Sequence, residues 1–205
     1  MKKFTYLIAV LAVFSAASFL SPQDASAQRW AIGTNAAELA WFGTLNIQGS
    51  VAVARHITFD AKMRYNPWAW RESQGVDKQI NQKQQSYKAG IRWWPWNIYS
   101  GWWFGAAGQW QEFNYGGLWG RNPEIRKVTR EGTAYGGVLS GGYTLMLNKH
   151  LNVEFGFAGW AGMEQFVTYS CPKCGRIEKL ADGSTIQKKP FLLPDEFMLN
   201  LVWIF

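Results

Sequence analysis

The stretch from Glu196 to Phe205 constrains the fold more than any other. Counting back by twos from Phe205 gives Trp203, Leu201, Leu199 and Phe197. Side chains alternate across a strand, so these five share one face. The other face is mixed: Met198, Asn200, Val202 and Ile204. One large apolar-aromatic face with no polar tail after it is odd for a soluble sandwich. It is ordinary for the closing strand of an outer-membrane barrel, whose two faces meet lipid and lumen.

The opposite end points the same way. Lys2-Lys3 precedes a mostly apolar run over residues 4–20, then Ser21-Pro22, then the small-x-small pattern Ala25-Ser26-Ala27. These are the parts of a secretory signal peptide, expected over residues 1–27 with cleavage after Ala27. Its removal takes away Lys2, Lys3 and Asp24 and lowers the formal net charge from +7 to +6. Export argues against nucleic acid as the partner of this basic chain and favours anionic lipid head groups and sugar phosphates. The remaining residues 28–205 suit one domain. They hold no later run of about 18 apolar residues, so any membrane crossing must use a closed barrel.

Segments of alternating residues separated by turns run through the chain. Eight strands are expected: Arg29 to Ala36, Gly43 to Val53, His56 to Asn66, Gln85 to Trp94, Tyr99 to Asn114, Glu131 to Leu147, His150 to Met163, and a last one from near Pro194. The third is the cleanest, with Ile57, Phe59, Met63 and Tyr65 opposite Thr58, Asp60, Lys62 and Arg64, a pattern no helix produces. In the fifth, tryptophans stand on both faces: Trp102, Phe104 and Trp110 against Trp103 and Gln109. Connections after strands two, four and six are tight, and those after three, five and seven are long. Residues 37–42 are read as a brief connection and 67–84 as a solvated loop. With both termini in the periplasm, the tight turns fall there and the long loops outside. The 13 Trp, 8 Tyr and 21 Gly fit aromatic girdles and closely packed strands. The expected fold is therefore all-β: an eight-stranded antiparallel up-and-down transmembrane β-barrel behind a cleaved signal peptide.

An eight-stranded barrel has an interior just wide enough to be filled by side chains. The inward set includes Asp60, Lys62, Arg64, Lys88, Arg92 and Glu154, with Gln109. Buried charges must be paired, so a lumenal ionic network is expected, in which Glu154 and Asp60 pair with Arg64, Arg92 and Lys62. Cys171 and Cys174, in the longest loop, are half of a zinc site at most. The two histidines, His56 and His150, belong to the opposite end of the barrel, and a four-ligand site needs more than two ligands. The oxidising envelope favours a short-range disulfide. No nucleophile–base pair is placed for catalysis, so no enzyme, cofactor or metal is expected. Trp119 lies in the Gly-rich tip Gly116 to Gly120. With Arg121, Lys173 and Arg176 it forms the candidate surface-loop binding set, since function concentrates on loops held by a rigid scaffold.

Several short motifs, in order, carry a resemblance. They are Thr34-Asn35, Tyr65-Asn66-Pro67-Trp68, Arg92-Trp93-Trp94, Gly141-Gly142-Tyr143, Asn152-Val153-Glu154 and Cys171-Pro172-Lys173-Cys174-Gly175. The chain resembles a family of short outer-membrane proteins abundant in the Bacteroidetes and catalogued as a domain of unknown function. The resemblance implies an OmpA-like eight-stranded barrel and no activity. The face of Phe197, Leu199, Leu201, Trp203 and Phe205 is also similar to the C-terminal signal that barrel proteins present to the barrel-assembly machinery.

The expected role is structural or interactive: an envelope-stabilising barrel or an accessory subunit of a larger outer-membrane complex. Its loops would bind a partner or an anionic glycan. Its partners would be outer-membrane lipid, lipopolysaccharide and other outer-membrane proteins. The alternatives are a narrow outer-membrane channel and an envelope lipid-modifying enzyme.

Overall fold

The computed structural model describes residues 29–70, 80–116, 128–169, 177 and 183–205. Nine strands form one antiparallel sheet: β1 (Trp30–Asn35), β2 (Leu45–Ala54), β3 (Ile57–Asn66), β4 (Ala69–Trp70), β5 (Ile80–Trp93), β6 (Gly101–Gly116), β7 (Thr129–Met146), β8 (Leu151–Tyr169) and β9 (Ile186–Ile204). One short helix, α1 (Ala36–Ala40), joins β1 to β2. Each long strand pairs with its sequence neighbour, β3 pairs with β5, and β1 pairs with β9, so the sheet closes into a ring. No described helix is long and apolar enough to cross a membrane.

The count differs from the eight expected. The ninth strand is β4, two residues that pair with Ile80 and Asn81 of β5 in a stretch read as loop. It stands outside the ring, which the other eight strands close. The brief connection at 37–42 contains α1, capped by Asn35, whose side chain accepts from the Ala37 N–H. β5 starts five residues before the expected Gln85, and β9 starts at Ile186 rather than near Pro194. Pro190 and Pro194 look like strand breakers in sequence, since proline has no N–H to give. Here they sit in a strand with an open edge. β1 pairs with β9 only from Asn200 to Ile204, and no other described strand covers that side of β9. Edge positions tolerate proline.

Alternation along the strands is inside-out. Along β9 and the residue that follows it, Phe197, Leu199, Leu201, Trp203 and Phe205 are 41–72 % exposed, while Met198, Asn200, Val202 and Ile204 do not exceed 6 %. The same split resolves β6: Trp102, Phe104 and Trp110 face out, and Trp103 and Gln109 face in. Exposed aromatics meet across strands at two levels. Trp93 stacks on Phe104 and Trp102 meets Tyr143 near the tight turns, while Tyr87 stacks on Trp110 six residues along β5. The expected leader, residues 1–27, lies outside the described residues.

A polar, filled lumen as the candidate functional site

The end of the barrel with the tight turns is sealed by rings. Trp94 and Trp103 are fully buried and Tyr99 nearly so. Their centroids lie 5.8 Å (Trp94–Tyr99) and 6.3 Å (Trp94–Trp103) apart. Trp94 Nε1 donates to Thr58 Oγ1 at 3.2 Å, and the Tyr99 hydroxyl donates to Arg29 O at 3.2 Å. Trp103 fits because Gly142 is its partner on β7 and Gly156 is the next on β8. A Cβ on Gly142 would sit 2.6 Å from the indole. His56 and His150 stay at this end, their Nδ1 atoms 3.0 Å from Trp94 O and Ile204 O.

Above this floor lie two storeys of charge. In the lower, Arg92 stacks 4.3 Å from the Trp103 ring centroid. It pairs with Glu154 at 3.1 Å and Asp60 at 3.4 Å. Glu154 also accepts from Asn200 Nδ2 at 3.1 Å and Thr144 Oγ1 at 3.3 Å. Asp60 accepts from Thr58 Oγ1 at 2.8 Å.

In the upper storey, Glu196 bridges Lys62 and Lys88, which are cross-strand partners on β3 and β5. Asp195 takes Arg64 at 2.8 Å, Lys88 at 3.2 Å and Gln109 Nε2 at 2.9 Å. Glu38, reaching in from α1, meets Lys62 at 3.0 Å and Arg64 at 3.3 Å. A cavity of about 30 Å³ between the storeys, lined by Asp60, Lys62, Lys88, Arg92, Ser140 and Glu196 among others, has room for a water.

The sequence-predicted lumenal residues are thus brought together, but not in the expected pairs. Only Arg92 pairs with Glu154 and Asp60. Lys62, Arg64 and Lys88 pair instead with Glu38, Asp195 and Glu196, three carboxylates the sequence reading did not select. The reason is a β-bulge. Ala158 is opposite Glu196 while the next residue, Gly159, is opposite Pro194, leaving Asp195 as the extra residue. A bulge breaks the two-residue period, so two consecutive carboxylates both point inward, each side chain 2 % exposed. Strict alternation would put one of them outside. Glu38 was hidden because its segment read as a connection.

Burial pushes the Glu38 carboxyl up to about 7, opposed by Lys62 and reinforced by Glu196.

Asparagines tie the rim. Asn35 Nδ2 donates to Phe197 O at 2.9 Å, and its Oδ1 accepts from Leu199 N at 3.2 Å and Ala37 N at 3.0 Å. Its carboxamide acts as one more peptide rung where β1 stops. Asn46 does the same for β1 and β2: its Oδ1 accepts from Asn35 N, and its Nδ2 donates to Asn35 O at 2.9 Å. Asn66 donates to Phe42 O and Thr44 Oγ1 and accepts from Trp68 N, while Trp68 Nε1 reaches Gly43 O. Cys171, Cys174, Trp119, Arg121, Lys173 and Arg176, the disulfide and loop-binding candidates, lie outside the described residues.

The fold and lumen define an all-β protein: a closed antiparallel ring with a polar, ion-paired interior and an apolar exterior. Residues 9–205 match the family described as "Protein of unknown function (DUF3575)", and the chain belongs to it. No curated protein and no solved structure matches the chain.

Proposed function

We propose that this protein is an integral outer-membrane β-barrel with a structural or interaction role, stabilising the envelope or serving as an accessory subunit of a larger outer-membrane complex. The observation that carries this reading is the inside-out wall. Large apolar side chains face outward on every long strand, and the buried charges and carboxamides face inward. An exterior of this kind is costly in water and favourable in hydrocarbon. The exposed aromatics at the tight-turn end, Trp93, Phe104, Trp102 and Tyr143, suit one interface of a bilayer. The signal-peptide pattern in residues 1–27 fits export. In this reading the tight turns and both termini are periplasmic, the long loops are extracellular, and lipopolysaccharide meets the basic loops. The face of Phe197 to Phe205 would be read by the barrel-assembly machinery.

The filled lumen favours a closed barrel over the channel alternative: an aromatic floor and two ionic storeys occupy the axis. The buried carboxylates are each held by cations, which favours a structural role. Reconstitution into phospholipid vesicles tests this. The protein is expected to float with the vesicles, resist alkaline extraction and leave them impermeable to small ions. A protein that stays in the aqueous phase without detergent, or vesicles that leak ions, would contradict the proposal.

A further inference from the structure

Among the described residues the buried lumenal charges do not balance. Nine charged side chains of the described ring and α1, each 2–16 % exposed, form the two storeys. Four are cations: Lys62, Arg64, Lys88 and Arg92. Five are carboxylates: Glu38, Asp60, Glu154, Asp195 and Glu196. A net charge enclosed in a low-dielectric interior is expensive, and a titratable group there neutralises instead. A metal ion is a poor neutraliser here, because the cavity between the storeys is walled by Lys62, Lys88 and Arg92.

Geometry ranks the carboxylates as proton acceptors. Glu196 holds both lysines, and Asp195 holds Arg64, Lys88 and Gln109. Glu154 holds Arg92 with two further donors. Asp60, though second to Glu154 on Arg92, also holds the Thr58 hydroxyl at 2.8 Å. Glu38 is a second partner to both of its cations. Arg64 lies 2.8 Å from Asp195 but 3.3 Å from Glu38, and Lys62 is closer to Glu196 than to Glu38. The charged groups facing Glu38 are therefore Lys62 and Arg64 from β3 and the carboxylate Glu196 from β9. Lys88 of β5 is bound to Asp195 and Glu196 and does not pair with Glu38. β2 contributes no charged group to the cluster.

Glu38 is also on an element without a buried residue. α1 is five residues long, and its other side chains make no ion pair; Leu39 is exposed. The helix sits where β1 has ended and β9 continues, over the open side of β9. We propose that the lumen binds one proton on Glu38 and that this proton fastens α1 over the gap between β1 and the free edge of β9. Docked, Glu38 is a neutral donor beside Glu196. Deprotonated, it adds a fifth negative charge to the lumen, and α1 swings out. The direction of the Glu38 titration agrees. Its raised value when docked means that docking is tightest below the ordinary carboxyl range and weakens as pH rises through about 7. The inference rests on the lumen and holds whatever covers the outer wall.

Two readings on the purified full-length protein test it. Difference infrared spectroscopy between about pH 5 and about pH 9 should show loss of one protonated-carboxyl band in the wild type. Glu38→Gln should abolish that band and Asp60→Asn should retain it. The Trp41 amide donates to Ala37 O and Glu38 O and so reports on α1. Corrected for intrinsic base catalysis, its exchange should speed about tenfold or more over that range in the wild type and stay flat in Glu38→Gln. A wild type with no titrating carboxyl band overturns the proposal even if the variants fail to fold. So does a band that survives Glu38→Gln, or one that vanishes in Asp60→Asn alone. An exchange rate that responds to pH equally in wild type and Glu38→Gln also overturns it.

Discussion

Asn35 illustrates how much one side chain does in this ring. Where β1 stops, its carboxamide satisfies the backbone of Phe197 and Leu199 and starts α1. Removing a partner from buried backbone groups costs their desolvation. Asn35→Ala should therefore destabilise the folded barrel by about 1–3 kcal/mol, read as a lower urea midpoint in detergent. Asn35→Asp keeps only the acceptor and should fall between the two. Arg92 is the more severe case. Among the described residues it is the sole cation paired with Glu154 and Asp60, and stripping a buried pair of one partner costs about 3–5 kcal/mol. Arg92→Ala should cost that much in the same measurement. Arg92→Met combined with Glu154→Gln and Asp60→Asn should recover a large part of it, because no uncompensated charge remains. If the single and triple variants unfold alike, ion pairing is not what makes Arg92 important.

Along the elements, glycines separate by face. Gly136 and Gly137 are neighbours in β7. A Cβ on Gly136 would lie 2.1 Å from Ala161 O, whereas one on Gly137 would meet nothing within 4 Å. Gly136→Ala should strongly impair folding. Gly137→Ala should be neutral or stabilising by about 0.5–1 kcal/mol, since glycine is a poor strand residue. Equal tolerance at both positions would contradict the assignment of faces.

The strands themselves were largely legible, because one face of each is polar and the other apolar and the period of two is direct to read. Ile57 to Asn66 and Leu199 to Phe205 are the clearest cases. What escaped has a physical cause in each instance. Alternation carries no sign of a bulge, so Asp195 and Glu196 did not stand out as an inward pair. The last strand is expected only from near Pro194, whereas it starts at Ile186, because sequence does not show which strand has an open edge that accepts Pro190 and Pro194. α1 is too short for helical periodicity. The six charges selected for the lumen do lie there, but their partners depend on cross-strand register, and that is fixed only when the ring closes.

For the molecule as a whole, the proposed account is a barrel turned outward to hydrocarbon. It has a floor of Trp94, Tyr99 and Trp103, two storeys of ion pairs above it, and a short helix over the gap left by β1. The interior combines buried rings such as Trp94, Trp103 and Phe166 with charges held by named partners, while the apolar surface awaits a solvent that can accept it. This makes orientation in a bilayer the property on which the account depends. The most direct measurement is polarised infrared spectroscopy of the reconstituted protein in oriented bilayers. The account predicts amide dichroism of strands tilted about 35–45° from the membrane normal, with amide exchange slow in the ring. Isotropic dichroism, or strands lying in the membrane plane, would contradict it.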